Sequence, residues 1–90
     1  MDKRERDTLA NVYAEPVSTD IRWEEIEHVF LGLGANAKWS DHHHLEVRRN
    51  GHKHSFETPR TKSDTLTSGD VLEVRQFLGT AGITEADSRG

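Results

Sequence analysis

Histidines are the residues of this sequence with the clearest capacity for chemistry. The chain has 90 residues, of which six are His and none is Cys. Three histidines are consecutive at positions 42–44, and two more follow at positions 52 and 54. Because the ordinary pKa of an imidazole is ~6.5, a histidine can take up or release a proton near neutral pH. The lack of Cys excludes thiol catalysis, disulfide scaffolds and cysteine-based zinc sites.

Three interpretations of the histidine cluster stay open from the residues alone. In the first, His42 and His44 form a His-x-His pair with Glu46 next in line, a spacing that can supply metal ligands. In the second, one histidine is a general acid or base on an RNA phosphodiester, and nearby cations stabilise the phosphorane. In the third, these are polar residues on a solvated face without a role. The histidines at the edges of apolar faces are predicted to be structural: His28, His52 and His54.

The distribution of charge favours an anionic partner for the segment that holds the cluster. The net charge of −4 and the pI near 5.8 argue, for the whole chain, against a nucleic-acid binder. Residues 35–62, however, carry six Lys/Arg against three acids. Residues 1–34 carry four against eight, and residues 63–90 carry two against five. The basic middle third is therefore the expected site of contact with an anionic partner.

Two helices are predicted to flank this basic segment. From about residue 22 to residue 33, apolar residues recur at steps of three and four, which is typical of an amphipathic helix. Gly34 is a plausible stop for that helix. The second helix is predicted to begin at a Thr67 or Ser68 cap and to end at Gly82.

Three strands are predicted between the helices. Ala37 and Trp39 alternate with polar residues in a first strand. Residues 44–49 and 52–58 alternate in the same way on either side of Asn50-Gly51, the dipeptide most typical of a two-residue hairpin turn.

The turn length fixes which side chains of the hairpin lie opposite each other. A two-residue turn pairs Arg48 with Lys53 on one face of the hairpin and Val47 with His54 on the other. Two cations directly opposite each other are mildly destabilising in a free sheet, but an anion lying across them offsets the repulsion. The register therefore indicates an anion-binding outer face.

These elements predict a small α+β domain of order α-β-β-β-α, with a three-stranded antiparallel sheet and two helices on one of its faces. Residues 1–20 are expected to form a partly disordered lead-in, with residues 1–7 frayed and one amphipathic turn at Leu9–Tyr13. Residues 21–83 are expected to form the domain, and residues 84–90 a flexible tail. With no signal peptide and no apolar run as long as a membrane span, we expect a cytoplasmic protein without membrane contact.

Three segments resemble the HicA family, the RNA-cleaving toxins of HicAB toxin–antitoxin systems. Residues 74–83, Val-Arg-Gln-Phe-Leu-Gly-Thr-Ala-Gly-Ile, resemble the family's Leu-Arg-x-Ile-Leu-x-x-Ala-Gly-Ile helix end. Residues 21–27, Ile-Arg-Trp-Glu-Glu-Ile-Glu, together with Leu33-Gly34-Ala35 resemble its first helix. Residues 8–17, Thr-Leu-Ala-Asn-Val-Tyr-Ala-Glu-Pro-Val, resemble the lead-in of one branch of the family. The resemblance covers roughly residues 8–83.

The resemblance implies a fold like the double-stranded-RNA-binding domain and the activity of an mRNA interferase, an endoribonuclease that needs no metal or other cofactor. It also implies a HicB-like antitoxin protein as partner. Alignment on Leu45 and Val47 places the family's catalytic histidine at His44, with His43 as the runner-up. Here His42-His43 stands where the family has Gly-Ser, so the alternative is a catalytically silent module that binds RNA or protein.

In the toxin interpretation, four cations of the basic segment would hold the phosphates of the RNA: Lys38, Arg48, Lys53 and Arg60.

Overall fold

The computed structural model describes residues 2–41, 43–49, 51–58 and 63–83. Its helices and strands, in chain order, are α1 (Lys3–Val12), α2 (Trp23–Gly32), β1 (Asn36–Trp39), β2 (His44–Arg49), β3 (His52–Glu57) and α3 (Ser68–Thr80). The α+β class and the predicted order of two helices around three strands are confirmed, and α1 precedes them. The predicted tail, residues 84–90, lies outside the described residues.

The three strands form one antiparallel sheet in the order β1-β2-β3. The hairpin register is the predicted one, with Arg48 opposite Lys53 and Val47 opposite His54. Gly51 has φ +81°, the left-handed conformation that a two-residue turn of this kind requires and that glycine adopts without strain. On the other side of β2, Ala37 lies opposite Val47.

One face of the sheet is covered by α2 and α3. Phe56 of β3 is fully buried, and its ring centroid lies 5.9 Å from those of Trp23 and Phe30 on α2 and of Phe77 on α3. Leu45 and Val47 of β2 are fully buried on the same face, as their alternation predicts. The opposite face of the sheet, here called the outer face, is therefore available for function.

Helix α1 is longer than the single turn expected from the sequence. Asp2 accepts a hydrogen bond from the amide of Glu5, and the Glu5 side chain accepts one from the amide of Asp2, each at 2.8 Å. This capping box satisfies two amides that would otherwise be unpaired at the start of the helix. Leu9 and Val12 are fully buried, so α1 contributes apolar side chains to the core.

Two side chains join the end of α1 to α3. Arg75 donates from Nε to the carbonyl of Val12 at 2.5 Å and from Nη2 to the carbonyl of Ala14 at 2.9 Å. Its Nη1 lies 2.9 Å from Glu15 Oε1. Tyr13 Oη donates to the carbonyl of Ile83 at 3.2 Å. These contacts, here called the Arg75 clamp, hold the N-terminal segment against α3.

The ends of α3 follow the sequence prediction. Thr67 is the N-cap, accepting at Oγ1 from the amide of Asp70 at 3.2 Å. Beyond the helix, the amide of Ile83 donates to the carbonyl of Leu78 at 2.8 Å, and Ile83 is buried. Arg49 of β2 donates to the carbonyl of Ala81 at 3.0 Å, which ties the helix end to the sheet. None of the helices in the described part of the chain has the length and apolar character needed to cross a membrane.

Candidate nucleic-acid interface

The outer face of the sheet carries its polar side chains in three rows. Asn36, Arg48 and Lys53 form the row nearest the hairpin turn. In the next row Glu46 lies between Lys38 and Ser55, and in the last row His44 lies opposite Glu57. Because side chains alternate along a strand, all these residues project to the same side of the sheet.

A shallow depression of about 350 Å³ brings together three of the four cations predicted to hold phosphates. Each comes from a different strand: Lys38 from β1, Arg48 from β2 and Lys53 from β3. Residue Leu31 of α2, which is 47% exposed, also lines the depression. The fourth predicted cation, Arg60, lies outside the described residues.

One carboxylate reduces the positive charge of the depression. Glu46 lines it too, and its Oε1 lies 3.9 Å from Lys53 Nζ. The Lys53 side chain is 55% exposed, so this ion pair is open to solvent and weak. Arg48 and Lys53 still face each other as the predicted like-charge pair. The depression thus holds three cations against one anion.

His44 is held in place by Asp41 in the loop between β1 and β2. Its Nδ1 lies 2.9 Å from both carboxylate oxygens of Asp41. The carboxylate also accepts a 2.7 Å hydrogen bond from the amide of His43. The His43 amide, and after it the His44 side chain, hold the pKa of Asp41 below its ordinary value of 3.8. Both His44 and Asp41 keep about half of their side-chain surface in solvent, at 41% and 54%.

The sequence pointed to His44 but not to Asp41. The strand register places Glu57 opposite His44, yet Asp41 is the carboxylate that contacts the imidazole. A signal was available, because an Asp side chain often accepts from the amide two residues further along, as Asp41 does from His43. His43, the runner-up for catalysis, is exposed in that loop, and His42 lies outside the described residues.

His44 is separated from the Arg48–Lys53 row by four residues along β2, or about 13 Å. Lys38 bridges the gap. It lies opposite Glu46 and is therefore a diagonal neighbour of both His44 and Arg48, at about 7–8 Å between Cα atoms. The structure brings the histidine and the cations onto one surface, with Lys38 between them.

Three further histidines that the structure describes, His28, His52 and His54, lie outside this surface. His54 has the structural role predicted for it, since its Nε2 lies 2.6 Å from Glu73 Oε1 on α3 and its ring centroid lies 4.5 Å from that of Phe56. His28 is exposed on α2, and His52 is exposed at the start of β3.

Metal ligation would need three or more suitable side chains close together. Over the ranges that the structure describes, no such group of His, Asp or Glu residues occurs. His42, one half of the His-x-His pair, is outside those ranges.

Comparisons with protein-family models, with curated proteins and with solved structures found no match to this chain. The case for a function therefore depends on the outer face itself and on the sequence motifs.

Proposed function

We propose that this protein is a HicA-like toxin, a cytoplasmic endoribonuclease that cleaves mRNA by histidine acid/base chemistry and is neutralised by a HicB-like antitoxin. The observation that carries the proposal is the position of His44. The Nδ1 atom of His44 lies 2.9 Å from the Asp41 carboxylate, and His44 lies on the exposed sheet face that also carries Lys38, Arg48 and Lys53.

Asp41 gives His44 the arrangement that a general base needs. A carboxylate that accepts from Nδ1–H selects the tautomer in which Nε2 carries the free lone pair, and it stabilises the imidazolium that forms on proton uptake. Nε2 of His44 would take the proton from a ribose 2′-OH. The 2′-oxygen then attacks phosphorus, the bond from phosphorus to the 5′-oxygen breaks, and that oxygen takes a proton from water. His44 then returns its proton to the solvent. The products are a 2′,3′-cyclic phosphate and a 5′-OH.

The cations supply the electrostatic part of this mechanism. A phosphate beside His44 would lie within reach of the Lys38 side chain, which can stabilise the charge that develops on the phosphorane. Arg48 and Lys53, further along the sheet, would hold neighbouring phosphates of the same strand. The required 2′-OH makes RNA the substrate and excludes DNA.

A matched pair of histidine variants tests the proposal. We expect purified wild-type protein to cleave single-stranded RNA, and His44→Ala to lower the cleavage rate by about 10²–10⁴-fold, the usual contribution of a general acid or base. His28→Ala, at an exposed histidine on α2, is the control and should cleave like wild type. His43→Ala tests whether the runner-up, and not His44, is the catalytic histidine.

A modified RNA substrate and a binding assay distinguish cleavage by His44 from RNA binding without cleavage. RNA with a single 2′-deoxynucleotide at the cleaved position should resist the wild-type protein. Equal cleavage by wild type and His44→Ala would remove His44 from the mechanism. Wild-type protein that leaves RNA intact but shifts it on a gel, with affinity that falls as salt rises, would favour the catalytically silent binding module instead.

The antitoxin part of the proposal has its own test. A partner that covers the depression would block the phosphate-binding cations and His44 together, because all of them lie on one face. Growth arrest on expression of the protein should therefore be relieved by co-expression of a short neighbouring reading frame of HicB-like pattern. Arrest that persists with every neighbouring frame would argue against such a partner.

A further inference from the structure

Strand β3 lies at an edge of the sheet, so the amide and carbonyl groups on its far side point away from β2. The amide of Thr58, just after β3, donates to the carbonyl of His43, just before β2, at 2.7 Å, so these residues continue the register of the two strands by one hydrogen-bonding pair. In an antiparallel ladder such pairs alternate with pairs that do not exchange hydrogen bonds. The residues of β3 whose amide and carbonyl groups point away from β2 are therefore Lys53, Ser55 and Glu57.

The side chains of β3 are complementary to those of a second copy of the same strand. If two copies run antiparallel with Ser55 opposite Ser55, Lys53 of each copy lies opposite Glu57 of the other. In this register the residues that lie opposite each other are Lys53, Ser55 and Glu57, whose amide and carbonyl groups point away from β2 and can therefore bond to the second copy. We infer that this protein forms a two-fold symmetric dimer by pairing β3 with β3 of a second copy, centred on Ser55.

The dimer would add two ion pairs to the backbone ladder. Opposite charges directly across an antiparallel pair stabilise it, and here the symmetry supplies the Lys53–Glu57 contact twice. Glu57 is exposed, and the ion pair of Lys53 with Glu46 at 3.9 Å is open to solvent and weak, so Lys53 can exchange Glu46 for Glu57 of the second copy.

The other edge of the sheet lacks this complementarity. Strand β1 has four residues, Asn36–Trp39, and Lys38 is its one charged side chain. Pairing β1 with its own copy would bring no opposite charges together. The six-residue β3, with a cation near one end and an anion at the other, is the edge suited to a second copy.

Helix α3 offers further surface beside the same edge. A cleft of about 280 Å³ separates it from β3 and is lined by His54 and Glu73, which hold the two elements together, and by Gln76. Leu72 of α3 is 51% exposed and lies one helical turn before Gln76. In the dimer the two α3 helices would lie on the same side of the joined sheet.

The dimer has a consequence for the outer face. A two-fold axis through the Ser55 pair is perpendicular to the joined six-stranded sheet, so the depressions of both copies lie on the same side. This arrangement is independent of whether the protein cleaves RNA, and it can be tested without RNA.

A single added charge at the axis is the first test. Sedimentation or light scattering over a range of concentrations should show a monomer–dimer equilibrium for wild type. Ser55→Lys places like charges opposite each other at the axis and should weaken the dimer by about tenfold or more. Within one copy the new cation lies opposite Glu46, so folding is preserved. Asn36→Lys adds the same charge on the same face at the other edge and should leave the equilibrium unchanged.

A charge exchange is the second test. Glu57→Lys should dissociate the dimer, and the double variant Lys53→Glu/Glu57→Lys should restore it, since the opposite charges are then exchanged. Circular-dichroism melting of each variant establishes that it is folded. Wild type that stays monomeric at about 0.5 mM would overturn the inference. So would dissociation by Asn36→Lys but not by Ser55→Lys, or a double variant that fails to restore the dimer.

Discussion

Two histidine–carboxylate pairs in this protein show how surroundings decide the use of the same chemistry. His54 and Glu73 join β3 to α3 at 2.6 Å, with the imidazole against the ring of Phe56. Asp41 lies in the loop between β1 and β2, and His44 begins β2 beside it, on the open face of the sheet. The first pair is part of the packing between strand and helix. The second is placed where a substrate can reach the imidazole, which is why His44 carries the proposed function.

Asp41 should contribute to stability only while it is ionised. Its pKa in the folded protein is lowered by the His43 amide and the His44 side chain, so its contribution is present above the unfolded value and is lost as pH falls through the lower folded value. Asp41→Asn keeps an acceptor but removes the charge. We expect its urea midpoint to lie below that of wild type near neutral pH, and the two midpoints to converge as pH falls below 3.8.

The Asp41 carboxyl carbon, followed by NMR titration, provides the direct readout. Its midpoint should lie below 3.8 in wild type and move toward that value in His44→Ala, because one of the two main causes is then removed. A midpoint at or above 3.8 in wild type would contradict the contacts described here.

At the scale of elements, the Arg75 clamp makes α1 part of the fold. Arg75 donates to two carbonyls of the N-terminal segment, and its side chain is only 19% exposed. The contact with Glu15 is different, because that carboxylate is 71% exposed and its ion pair is screened by solvent. The carbonyl contacts therefore dominate the clamp.

Replacing Arg75 should loosen α1. Lysine keeps the charge but lacks the planar fork that reaches both carbonyls, so Arg75→Lys should lower the free energy of unfolding by about 2–3 kcal/mol. Urea unfolding measures the loss, and amide hydrogen exchange should show faster exchange in α1 than in the sheet. Glu15→Gln is the control and should change stability by less than about 1 kcal/mol. Equal losses in the two variants would show that the ion pair dominates.

Contact between α1 and α2 gives a second prediction at this scale. A Cβ at Gly32, the last residue of α2, would lie 2.6–2.8 Å from the carboxylate atoms of Glu5. Gly32→Ala should displace that side chain from the amide of Asp2 and cost about 1 kcal/mol of capping. In a Glu5→Ala background the same substitution should be neutral or stabilising, because alanine favours the helix over glycine. Urea unfolding of wild type, the two single variants and the double variant measures these changes in stability. Additive effects of the two substitutions would contradict the contact between Gly32 and Glu5.

The elements differ in how far the sequence predicts them. Alternation and the Asn50-Gly51 turn specify the hairpin register, because a shift of one residue would expose Leu45 and Val47. The stripes of α2 and α3 are long enough to show their period. Helix α1 has few apolar residues, and its signal was the capping box from Asp2 to Glu5. The Asp41–His44 contact and the Arg75 clamp depend on loop conformation and on long-range contacts, neither of which has a periodic pattern.

At the scale of the whole molecule, the arrangement of charge matters more than its sum. The chain is acidic at −4, yet three cations meet in one depression of the outer face. Glu46 opposes them from within the depression. In the proposed function this surface would contact about three phosphates, which for single-stranded RNA predicts a slope near −2 for the logarithm of affinity against the logarithm of salt.

Removing the opposing carboxylate should strengthen RNA binding. Glu46→Gln leaves Lys53 without its partner and should raise the affinity for a short single-stranded RNA several-fold at low salt. Arg48→Ala should reduce the salt slope by about 0.7. Glu73→Gln removes one acidic charge on the helix side of the sheet and should have little effect. Fluorescence anisotropy measures all three, and equal effects of the two glutamine variants would argue for a general charge effect instead of a contact at the depression.

The Arg75 clamp also bears on the order in which the chain folds and opens. It joins atoms of residues 63 positions apart, and the Tyr13–Ile83 bond spans 70 positions. Such closures cost chain entropy before their contacts form, so α1 should dock after the hairpin and the two later helices have condensed. Weakening the clamp should then accelerate unfolding more than it slows refolding. Detachment of α1 would uncover Leu9 and Val12 of the core, which makes this helix the expected first point of attack for a protease.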